Sequence, residues 1–134
     1  KNTLSNDIDR VKFLDPLSVE GFINHCGQAS VLLNPFVFGS GNSFMESMYY
    51  GTPTVSKHTD YMKSRVVTGS YKQMKILDAP VFNNIDDYIE KSIEISNKGD
   101  GDLKKYYADQ ANKYIFENDN FIKEFEDIIN STVN

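Results

Sequence analysis

Val31-Leu32-Leu33-Asn34-Pro35-Phe36-Val37-Phe38-Gly39-Ser40-Gly41-Asn42-Ser43-Phe44-Met45-Glu46-Ser47-Met48-Tyr49-Tyr50-Gly51-Thr52-Pro53-Thr54-Val55 reads as an apolar strand, a glycine-rich bend, a short helix, a Gly-Thr-Pro turn and a second strand. A helix that opens straight after such a bend presents backbone N–H groups that lack intrahelical acceptors. Together with the helix dipole, these favour an anion such as phosphate. Glu46 follows about one turn into the helix, where its carboxylate can accept hydrogen bonds from sugar hydroxyls beside that phosphate. The order therefore suits a nucleoside diphosphate with its ribose. Asn42 or Ser43 is expected to cap the helix, and Gly51 to end it as the residue after the C-cap.

On either side the chain alternates between strands and helices. Val11 to Leu14 is a short apolar run expected to form a buried strand, stopped by Asp15-Pro16. Ser18 can cap a helix to about Gln28 that carries Val19, Phe22, Ile23 and Cys26 at helical spacing. Thr54 to Ser56 and Ala79 to Phe82 read as further strands. Helices are expected over Lys63 to Met74, Asp86 to Asn97, 102 to 117 and 119 to 131. Alternation of this kind implies right-handed crossovers and a parallel sheet. The fold class is therefore α/β, a Rossmann-like parallel sheet of four short strands flanked by helices. The last helices are expected to pack as a tail across the domain or onto another one.

The 134 residues suffice for one domain with one core. A net charge of −5 makes nucleic acid a poor partner, since its phosphates require clustered Lys and Arg. There is no membrane-length apolar run and no signal peptide. The single cysteine, Cys26, precludes an internal disulfide, suits a reducing, cytoplasmic setting, and reads as a small buried side chain. No His/Cys cluster with metal-ligand spacing is present. The chain begins at Lys1, so it reads as a piece of a longer protein.

Three stretches, taken in order and spacing, resemble a known family. They are Asp9-Arg10-Val11-Lys12-Phe13-Leu14, the bend Phe36 to Glu46, and Gly51-Thr52-Pro53-Thr54-Val55 followed by Ser64-Arg65-Val66. Over about residues 9 to 126 the chain resembles the C-terminal catalytic half of the protein O-GlcNAc transferases, including their SPINDLY-type members. The adhesin N-glucosyltransferases share this lobe. The resemblance implies the donor-binding lobe of a GT-B glycosyltransferase. It implies a UDP-sugar as donor substrate, a protein or peptide acceptor, and neither a metal nor another cofactor. The lobe with the general base, and the lysine on the donor phosphate, are expected upstream of Lys1, so this chain alone is expected to be inactive.

Carried over by position, Asn42 and Ser43 match the polar pair that touches the diphosphate, and the backbone from Gly41 to Phe44 supports them. Glu46 matches the acid that holds the ribose. Leu17 falls where backbone groups meet uracil, Phe22 where a ring packs on the base, and His25 where a basic side chain approaches the nucleotide. The chain departs from the family by having Gly41 where several members carry His, and Asn42-Ser43 where a Thr pair is usual.

Plainer readings stand beside these. Asn42 and Ser43 make good caps without any ligand, Phe22 reads as core, and His25 as a surface residue. His58 follows a strand at the end where ligands bind in open sheets. Arg65 is expected to pair with an acidic neighbour at a loop–helix junction. The stripe Asp86, Asp87, Glu90 and Glu94 reads as a solvated face. Two other functions stay open: a nucleotide-binding or protein-interaction module without catalysis, and another GT-B-type enzyme acting on glycans. Phe38, where many retaining glycosyltransferases carry a second Glu, speaks against that last group.

Overall fold

The computed structural model describes residues 7–99 and 101–133. It shows an α/β domain whose three-stranded parallel sheet is flanked by helices. The strands are β1 (Leu32–Leu33), β2 (Thr54–Lys57) and β3 (Val81–Phe82), in the spatial order β1-β2-β3. Leu32 lies opposite Thr54 in the register, and Ser56 lies opposite Val81. The ladder extends past the strand ends through Leu32 N to Pro53 O (2.8 Å), Asn34 N to Val55 O (3.0 Å) and His58 N to Phe82 O (2.7 Å). As the central strand, β2 is buried from Thr54 to Ser56, which suits a strand covered on both faces.

Helix α1 (Val19–Gln28) starts as the sequence indicates, with Ser18 Oγ accepting from Gly21 N at 3.1 Å. Helix α2 (Asn42–Met48) joins β1 to β2, and α3 (Val66–Gln73) joins β2 to β3. Helix α4 (Ile85–Lys98) is capped by Asn84, whose Oδ1 accepts from Asp87 N, and it stops at Gly99 in the left-handed region. Its acidic stripe is exposed as expected, apart from Glu94. Hydrogen bonds from Lys91 and Lys98 to Glu94 hold its carboxyl at about 2.

Two clusters form the core. Phe44, Met48, Val67, Tyr71, Met74, Tyr107 and Ala111 bring α2, α3 and α5 (Gly101–Ala111) together on one side. Val55, Tyr88 and Ile95 join β2 to α4 on the other. Buried Tyr71 bonds Thr54 twice, accepting from its N–H at 2.8 Å and donating to its carbonyl at 3.1 Å. Burial drives the Tyr71 hydroxyl well above the ordinary tyrosine range, with the neighbouring Tyr107 adding to the effect. Lys104, on α5, donates to Gly27 O (2.8 Å) and Ala29 O (2.6 Å) and so ties α5 to the carbonyl end of α1.

Three expectations are corrected. Val11 to Leu14 is not a strand: the segment is exposed coil, with Phe13 83% exposed, and the sheet among the described residues has three strands rather than four. Three apolar residues interrupted by Lys12 do not fix an extended conformation, and among the described residues no strand lies alongside to pair with them. The helix expected over Lys63 to Met74 breaks at Arg65 into a 3-10 turn (Met62–Ser64) and α3. Only part of the C-terminal tail packs on the domain. Helix α5 does, and continues as a π turn (Asn112–Phe116), whereas the described side chains of α6 (Asn120–Val133) are all exposed.

Candidate functional site at the α2 corner

The end of β1, the glycine bend and the first turn of α2 make a corner at the C-terminal edge of the sheet, where ligands bind in open α/β folds. Asn34 organises it. This side chain is 1% exposed, and its Nδ2 donates to Ser56 Oγ at 2.8 Å. Its Oδ1 accepts from Ser40 N at 2.6 Å. The next loop closes the other side, where Gly39 N donates to Lys63 O at 3.2 Å. A Cβ on Gly39 would press within 3.1 Å of the Ser64 Cα, so a side chain there would push the two loops apart. Neither Gly39 nor Gly41 has positive φ, so close approach explains Gly39 better than turn geometry does.

Helix α2 begins one residue earlier than the capping pattern suggests. Gly41 is the N-cap, and no side chain caps the helix, so Asn42 and Ser43 are its first two residues instead of its caps. The amides of Phe44 and Met45 bond back to Gly41 O at 3.1 and 3.3 Å. Those of Gly41, Asn42 and Ser43 have no acceptor among the described residues. Together with Pro35, Phe38, Gly39 and Ser40, these three residues border an open cleft of about 520 Å³. Orphan donors at an open helix start are a ready anion seat.

Glu46 is half-buried on the same side of α2 as Ser43, three residues on. It borders a neighbouring cleft of about 380 Å³ with Leu17 and Phe22. Six of the eight predicted positions border two separate clefts that share no residue: Gly41, Asn42 and Ser43 at one, and Leu17, Phe22 and Glu46 at the other. The structure does not bring in the other two. The Phe44 ring is fully buried edge-on against Tyr71, 5.2 Å between centroids, and its N–H is already bonded, so it serves the core. His25 is exposed on α1 and borders neither cleft, because the helix turns it away while Cys26 faces inward. Burial pushes the Cys26 thiol up, and the negative charge of Glu46 adds to this, so Cys26 is a poor nucleophile.

Two residues behave otherwise than their sequence setting suggests. Asn34 carried no signal beyond a position before Pro35, yet it holds the bend to β2. Arg65, expected to pair with an acid, has no carboxylate partner among the described residues. Replacing Asn34 by Ala removes both anchors and leaves the Ser56 hydroxyl and Ser40 amide unpaired. The expected loss is about 2 kcal/mol in urea unfolding, with faster amide exchange over residues 39–41. A loss below about 0.5 kcal/mol would refute the anchoring role.

Among the described residues, no group of three or more His, Cys, Asp or Glu is placed to hold a metal ion, and no helix is long and apolar enough to cross a membrane. Comparison of the chain with protein-family models, with curated proteins and with solved structures returns no match.

Proposed function

We propose that the α2 corner binds a UDP-sugar, and that the domain is the donor-binding part of a GT-B glycosyltransferase that passes GlcNAc or a related hexose to protein side chains. One observation carries this reading: three unbonded amides, of Gly41, Asn42 and Ser43, open onto a cleft one helical turn from the half-buried carboxylate of Glu46. The amides suit a diphosphate. Glu46 suits the two ribose hydroxyls, and the Leu17–Phe22 wall suits a flat base.

The chemistry follows from the donors. As the anomeric carbon parts from the β-phosphate, negative charge grows on the leaving diphosphate. Fixed N–H dipoles aimed at that charge stabilise the transition state more than the ground state. Losing one such donor typically costs about 3 kcal/mol of barrier. A second reading, a nucleotide-binding module that does not itself transfer sugar, is supported by Asn42-Ser43 standing where a Thr pair is usual.

Titration calorimetry with UDP tests the binding step. Glu46→Ala and Ser43→Ala are each expected to weaken UDP by about tenfold, the loss of one charged or polar contact, with unfolding midpoints held close to that of the parent chain. Unaltered affinity in both variants, or no UDP binding by a folded chain, removes the reading. UDP release from a UDP-sugar in the presence of acceptor peptide separates transfer from binding alone.

A further inference from the structure

A further cavity lies at the same edge of the sheet, beyond the α2 corner. It has a volume of about 360 Å³ and lies between the end of β2 and helix α3. His58, Arg65 and Lys72 border it, together with Met62, Thr68 and Gly69, and no acidic side chain does. His58 is set by the sheet, since its N–H continues the β2–β3 ladder to Phe82 O. Arg65 and Lys72 come from the two ends of α3.

Neither cation has a carboxylate partner among the described residues, although the chain as a whole carries a net charge of −5. Two cations brought beside one cavity without a counter-charge repel each other, and an anion between them removes that repulsion. Thr68 also borders the cavity; its Oγ1 is buried and has no hydrogen-bond partner among the described residues, which is uncommon in folded proteins. The amides of Val66 and Val67, in the first turn of α3, also lack acceptors among the described residues. Gly69 adds no bulk, and a Cβ placed there would meet open space.

We propose that this cavity is a phosphate site, taking a phosphate dianion or the head of a phosphomonoester between Arg65, Lys72 and His58. Arg65 offers the planar fork that matches two phosphate oxygens, and Lys72 a point charge on a third. The site shares no residue with the α2 corner and does not depend on the nucleotide reading of it. The loops beside the two sites touch at Gly39, through its N–H bond to Lys63 O and its close approach to Ser64.

The test is a titration of the ¹⁵N-labelled chain with inorganic phosphate at constant ionic strength, with O-phosphoserine as a second arm. Saturable one-to-one shifts are expected at the Thr68 and Gly69 amides. Arg65→Gln and Lys72→Met are each expected to weaken binding by about tenfold. Both positions are exposed, so the variants should fold, and either one alone suffices for the comparison. Tighter binding of phosphoserine identifies an organic phosphomonoester as the ligand, and equal binding identifies free phosphate. The site is refuted if chloride reproduces the shifts, if they centre on Asn42 and Ser43, if no saturation occurs, or if affinity survives both substitutions.

Discussion

Gly51→Ala is expected to destabilise the domain by about 4 kcal/mol, a large share of the 5–15 kcal/mol typical of a folded domain. Two independent causes converge at this residue. Its φ is +68°, a conformation that costs an L-residue roughly 1–2 kcal/mol. A Cβ there would also overlap the carbonyl oxygen of Lys104 and come within 2.7 Å of the Ala108 amide nitrogen. Both atoms are backbone of α5, so no side-chain rotation relieves the clash. Helix α5 would have to lift, and with it Tyr107 and Ala111 from the core and Lys104 from the end of α1. Urea unfolding of the variant measures the effect. A loss below about 1 kcal/mol would mean that α5 does not rest on this turn.

Phe44→Ala is expected to cost about 3–5 kcal/mol, the range for a fully buried phenylalanine truncated to a methyl. The ring is fully buried and meets Tyr71 edge-on at 5.2 Å. Tyr71 in turn holds both backbone groups of Thr54 in the central strand. A cavity beside Phe44 therefore loosens the contact that joins α2 and α3 to the sheet. UDP affinity of the folded fraction is expected to stay within about threefold of the parent, because the ring points away from the cleft. The opposite pattern, intact stability with binding lost, would move Phe44 from the core to the ligand. Phe44 and Glu46 thus form a contrast on one helix: the first variant tests packing, and Glu46→Ala tests binding.

The pattern of elements was legible because it rests on local rules. Ser18 caps the helix that its position suggests, since an oxygen on a short side chain reaches the N–H three residues on whatever surrounds it. Gly51 and Gly99 end helices for an equally local reason, the freedom of a residue without a Cβ. The bend between β1 and α2 was visible in its glycines, and Glu46 in its distance from them.

What local rules do not carry is which partner a group finds. Val11 to Leu14 has strand composition but no neighbouring strand among the described residues, and an extended segment without a ladder stays coil. Asn42 and Ser43 have capping chemistry. Yet the N-cap falls on Gly41, beside the Ser40 amide that the buried Asn34 holds, and the amides of Gly41, Asn42 and Ser43 find no acceptor among the described residues. Asn34 itself, and the meeting of His58, Arg65 and Lys72 around one cavity, join residues well apart in the chain that only packing brings together. Capping, helix stops and strand–helix alternation were thus readable from the chain, because their forces act within four residues. The open amides, the core role of Phe44 and the unpaired cations came from the assembled fold, because burial and charge pairing depend on neighbours that the order of residues does not name.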